Sequence, residues 1–119
     1  MAFKTVRYPG MVEIKDPGNA GTFQLPEHHN ATCVLASGGS GETRVLGAPK
    51  FLGQTCQFSL TVDGGGDVVI TAASTVNQTG DNTMTIADAG DEITLRGTVK
   101  AGALVWRVAS NDGVALTTV

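Results

Sequence analysis

Charge is scarce in this sequence. Lys and Arg number 8 and Asp and Glu 11, together 16% of 119 residues, against roughly a quarter in an average domain. The balance is slightly acidic, with a net charge of -3. No strongly basic character is present to neutralise phosphates, so nucleic acid is not an expected partner. Aromatic side chains make up only 5%, too few to line a deep sugar cleft around a pair of carboxylates. Cysteine is nearly absent: Cys33 and Cys56 allow one disulfide at most, and no Cys-x-x-Cys occurs. Both read as small buried apolar residues. A disulfide is the alternative, and no secretory signal supports the oxidising compartment it needs. Met1 to Gly10 carries Lys4 and Arg7 with no apolar stretch after them, so it does not read as a signal peptide. No apolar run approaches the roughly 20 residues of a membrane-spanning helix, and no membrane partner is expected.

Glycine is plentiful, at 16 residues, and Thr and Val recur from Thr5 to Val119. These are turn and pleated-sheet residues rather than helix formers. With 41% hydrophobic residues and little net charge, the chain has the means to fold as one compact β domain. Three of its four prolines fall early, at Pro9, Pro17 and Pro26. Between these breaks lie only short extended pieces, Phe3 to Tyr8, Met11 to Lys15 and Thr22 to Leu25. Residues 1–30 are therefore expected to form an extended N-terminal arm, and residues 31–119 a single domain. Supply of strands by the arm to that same domain is the competing reading.

From Ala31 onward short strands alternate with turns. Cys56, Phe58, Leu60 and Val62 share one face of the run from Gln54 to Val62, while Gln57, Ser59 and Thr61 share the other, the period of two of a half-buried strand. Asp63-Gly64-Gly65-Gly66-Asp67 then reads as the turn of a hairpin whose second strand is Val68 to Ala73. Farther on, Ile93, Leu95 and Val99 are expected inward, with Glu92, Thr94, Arg96 and Thr98 outward. Leu104, Trp106 and Val108 are expected inward, with Val105 and Arg107 outward. Asn111-Asp112-Gly113 is a tight-turn signal. Strands spaced about 8 to 12 residues apart predict an all-β fold, an antiparallel β-sandwich or barrel of jelly-roll type. Trp106 reads as a core anchor.

Enzymatic constellations are not evident, and the chain is expected to be neither an enzyme nor a cofactor binder. His28 and His29 are adjacent, so on an extended chain they point to opposite sides and do not share a metal. Gly38-Gly39-Ser40-Gly41-Glu42 lacks the Lys-Ser/Thr and helix of a phosphate cradle. The acidic turn Asp88-Ala89-Gly90-Asp91-Glu92 departs from EF-hand spacing, and reads as Asp bonding its own backbone rather than as a calcium loop.

The stretch from Asn77 to Val119 carries the most specific pattern. It contains Thr83-Met84-Thr85-Ile86-Ala87-Asp88-Ala89-Gly90-Asp91, then Leu104-Val105-Trp106-Arg107-Val108, then Asn111-Asp112-Gly113-Val114. It resembles a terminal segment of small virion structural proteins of tailed bacteriophages, namely head decoration (cement) proteins and related fibre modules. The resemblance covers about a third of the chain. It implies a protein that binds the outside of an assembled head as a homotrimer, its partners being the major capsid protein and copies of itself, located on the virion after assembly in the host cytoplasm. The alternative it implies is a tail-fibre or receptor-binding module contacting host glycans or protein. Under the first reading Phe3, Lys4, Val6, Arg7 and Tyr8 of the arm are the expected contact residues, laid on a neighbouring subunit or the capsid by strand addition.

Overall fold

The computed structural model describes residues 11–119. It contains ten strands: β1 Met11–Ile14, β2 Gly21–Thr22, β3 Asn30–Ala36, β4 Glu42–Leu46, β5 Thr55–Val62, β6 Val68–Ala72, β7 Thr83–Ile86, β8 Glu92–Lys100, β9 Ala103–Asp112 and β10 Ala115–Thr117. They form two five-stranded sheets, a front sheet in the order β1-β3-β5-β8-β9 and a back sheet in the order β10-β7-β6-β4-β2. The all-β sandwich is as expected. Its pairing is not purely antiparallel, and its connectivity is not that of a jelly roll.

From β1 to β6 the chain alternates between the sheets, front then back, and each strand pairs in parallel with the strand two places later. This is three rungs of a flattened coil. Parallel pairing follows because each strand is reached only after a full circuit through the opposite sheet, which always delivers the chain in the same direction. After β6 the path reverses. β7 runs antiparallel to β6, β8 to β5, β9 to β8, and β10 to β7. The expected hairpin of Gln54–Val62 with Val68–Ala73 is thus absent: β5 lies in the front sheet and β6 in the back. The Gly-rich segment between them is a corner of the coil. Corner and hairpin draw on the same turn chemistry, which is why composition alone does not separate them.

Successive corners stack. The Gly64 and Gly66 amides donate to Ser37 O (3.1 Å) and Gly38 O (2.9 Å) of the corner one rung earlier. The approach is so close that a Cβ on Gly64 would stand 2.6 Å from Ser37 O, so glycine is required there. Residues 11–30 belong to the first rung: β1 and β2 pair with β3 and β4, and Phe23 is buried in the core. The described part of the expected arm is therefore built into the sandwich.

Inward side chains of both sheets meet in one core, with Leu35, Phe58, Leu60, Ile70, Met84, Ile86, Ile93, Leu95 and Trp106 buried. Phe23 and Phe58 pack tilted with ring centroids 4.7 Å apart. The Trp106 indole N–H donates to Gly47 O at 2.7 Å, fixing β9 to the corner after β4. One inward and one outward assignment fail on the β8–β9 ribbon, since Val99 is 52% exposed while Val105 is buried. Val99 lies beside the tip of the hairpin, past the end of the core. The register slips between Thr94 and Leu95, with Ala109 as the extra residue on β9, so the phase shift falls beyond Val108 and Val105 stays on the outer phase with Arg107.

Candidate functional site

Three places on the molecule gather chemistry. The first is a buried charge cluster at one end of the coil. Arg44 is on the inward phase of β4, shared with Leu46, and its side chain is fully buried. Its Nε and Nη2 donate to the two oxygens of Asp16 at 2.7 and 3.2 Å. Nη2 also reaches Glu42 Oε1 at 2.9 Å and Ala36 O at 3.2 Å. Asp16 accepts from the Gly18 and Ala36 amides in addition, and Glu42 Oε2 accepts from the Gly38 amide at 2.7 Å. Burial alone would raise the Asp16 carboxyl. The Arg44 hydrogen bond and the two amides outweigh it and hold the group below its ordinary value. Glu42 is held low by the Gly38 amide first and Arg44 second. The cluster joins the first corner of the coil to the second. At the opposite end the fully buried Gln54 ties corners together in the same way. Its Nε2 donates to Pro26 O (2.9 Å) and His29 O (3.0 Å), and its Oε1 accepts from the Lys50 amide.

The second place is a half-open groove of about 500 Å³ beside the edge strand β2, lined by Thr22–Leu25, Glu27 and Gly47–Lys50. Glu27 and Lys50 face each other at 3.9 Å. Phe23 turns its ring into the core, so the groove presents mixed polar and aliphatic surface rather than an aromatic platform.

The third is the outer face of the back sheet. Register aligns Thr22, Val45, Thr71, Thr83 and Thr117 in one row across the five strands, and Thr43, Val69, Thr85 and Ala115 in the next. Neither row contains a charge. Thr22, Thr43, Val45, Ala115 and Thr117 are exposed, Val69, Thr71 and Thr85 half-buried, and Thr83 buried. Two sheets stacked about 10 Å apart, with side chains on both outer faces, make a slab about 20 Å thick. The molecule measures 43 × 40 × 23 Å, so the outer faces of the sheets are its broad sides.

Of the residues singled out from sequence, Phe3, Lys4, Val6, Arg7 and Tyr8 lie outside the described residues. His28 and His29 are both exposed in the turn before β3. Among the described residues no group of three His, Cys, Asp or Glu side chains converges to hold a metal ion. The acidic turn bonds its own backbone, with Asp91 Oδ2 accepting from the Ala87 (3.2 Å) and Asp88 (3.1 Å) amides. Cys33 and Cys56 are buried free thiols on neighbouring strands. Burial, with Asp16 adding to it, pushes the Cys33 thiol up to about 12, and burial raises Cys56 as well. Sequence reasoning missed Arg44 as a buried charge. The signal was its parity with Leu46 between two outward residues, Thr43 and Val45.

No protein-family model matches this chain, and no curated protein matches it.

Proposed function

We propose that this chain is a non-catalytic structural protein that decorates the head of a tailed bacteriophage, binding the outside of the assembled shell through the outer face of its back sheet. The observation that carries the reading is that face: two cross-strand rows of Thr, Val and Ala without a charged side chain. Protein-binding faces are depleted of charge at their centre. Small β-branched side chains also lose little rotamer freedom when covered. The resemblance of Asn77 to Val119 to virion structural proteins supplies the partner. The mechanism is linkage: a protein that binds only the assembled shell stabilises it by its binding free energy, repeated at every lattice site. The arm residues Phe3, Lys4, Val6, Arg7 and Tyr8 are the second proposed contact.

Co-sedimentation with empty expanded heads of tailed bacteriophages tests the proposal. Wild type is expected to pellet at near-stoichiometric copy number. Val45→Glu, at a side chain 47% exposed, is expected to stay in the supernatant while keeping its fold. Failure of wild type to bind heads, combined with binding to host cells or glycans, would establish the fibre-module alternative instead. Unchanged head binding after deletion of Met1 to Tyr8 would remove the arm from the interface.

A further inference from the structure

The register of the β8–β9 ribbon sets like charges directly opposite each other twice. Arg96 is paired with Arg107, and Glu92 with Asp112. All four lie on the outer phase of the front sheet, opposite to Ile93 and Leu95, which are buried. Like charges in directly opposed positions repel and weaken a sheet. None of the four takes part in an ion pair among the described residues. Arg96 is exposed and Arg107 half-buried.

The arrangement is complementary to itself. Thr94 pairs with Ser110 midway between the two charged pairs. On β8 Arg96 and Glu92 each stand two residues from Thr94, about 7 Å along the strand. On β9 Asp112 stands two residues from Ser110 on one side. Arg107 stands three away on the other, the bulge at Ala109 absorbing the extra residue. A two-fold axis lying in the plane of a contact, across the strands at the level of Thr94 and Ser110, therefore carries the two arginines of one copy onto the two carboxylates of another. The same operation brings the second copy's acids to the first copy's arginines, which is the self-complementarity an isologous interface requires.

We infer that two copies of this chain associate about such an axis through the outer face of the β8–β9 ribbon, with Arg96 and Arg107 of each copy bound to Glu92 and Asp112 of the other. The partner is a second copy because the ribbon itself holds both halves of the complement at matched spacing. Arginine forks meet carboxylates in a bidentate way, and such contacts hold register as well as affinity. The inference does not depend on head binding, since it concerns the protein alone in solution.

Sedimentation velocity of the full chain over a range of concentration and salt tests it. Wild type is expected to form a dimer that weakens as salt rises. Arg96→Glu with Arg107→Glu, and separately Glu92→Arg with Asp112→Arg, are each expected to raise the dimer dissociation constant about tenfold or more. An equimolar mixture of the two variants is expected to restore the dimer, because each then carries the charge the other lacks. The single changes Arg96→Glu and Glu92→Arg, at exposed positions, repeat the mixing test if either double variant fails to fold. A monomeric wild type, an oligomer indifferent to the reversals, a trimer, or a mixture that does not reassociate would overturn the inference.

Discussion

Replacing Asp16 with alanine removes the principal partner of a buried cation. The Arg44 side chain is 0% exposed and the Asp16 side chain 18%, so little water is at hand to replace the lost carboxylate. Breaking one side of a buried ion pair costs about 3–5 kcal/mol. Glu42 stays on Nη2 at 2.9 Å and keeps part of the compensation, which places Asp16→Ala at the lower end, about 3 kcal/mol. That is a large share of the roughly 5–15 kcal/mol that holds a domain together. Arg44→Met fills the same space without charge, yet leaves Asp16 unpaired with Arg44. The double variant Asp16→Ala/Arg44→Met is expected to cost clearly less than the sum of the two, because neither charge is then left behind. Equilibrium urea denaturation of the four proteins gives the cycle. A loss below about 1 kcal/mol for Asp16→Ala, the range of an exposed pair, would be inconsistent with a buried, partnered cation, as would simple additivity in the double variant.

Three further outcomes follow from the same structure. Asp16 and Glu42 have folded-state pKa values below their ordinary values of 3.8 and 4.5. They therefore stabilise the fold above those values and stop doing so as pH falls through the folded ones. The urea midpoint of wild type should be level above about pH 5 and fall below about pH 4, and Asp16→Asn should flatten that fall; a midpoint that rises on acidification would contradict it. Ala101 sits at φ 51 beside Gly102 at φ 81 in the β8–β9 turn, a two-residue hairpin turn that favours Asn-Gly. Ala101→Asn is expected to add about 1 kcal/mol, and a lowered urea midpoint would disprove the strain. Cys33 and Cys56 are buried with raised pKa values, so a thiol-reactive disulfide reagent should modify them only at the rate of unfolding; immediate labelling of the native protein would contradict their burial.

Local patterning made much of the fold legible. The alternation Cys56, Phe58, Leu60, Val62 marks β5 as half-buried; the structure buries the first three and leaves Val62, at the end of the strand, 58% exposed. Trp106 is the anchor its inward position implies. Strand partnership was not legible, because it is set by the path rather than by the strand. Ala31 pairs with Cys56 and Thr43 with Val69, positions a whole rung apart with an opposite-sheet strand between them. The Gly-rich corners look like hairpin turns, since both need glycine for close backbone approach and positive φ. Outward assignments of Glu92, Arg96 and Arg107 were readable from parity. Their assembly into two like-charged pairs depends on a register that includes a bulge at Ala109, which no period of two contains. Arg44 was passed over because a charge in a short strand is ordinarily read as solvent-facing.

Whether the uncharged outer face of the back sheet covers a phage shell is decided by electron cryomicroscopy of heads incubated with this protein. Added density is expected on the outer surface at repeated lattice sites, with the row Thr22, Val45, Thr71 and Thr117 turned toward the shell. Bare heads, or density confined to the tail, would contradict the proposed decoration.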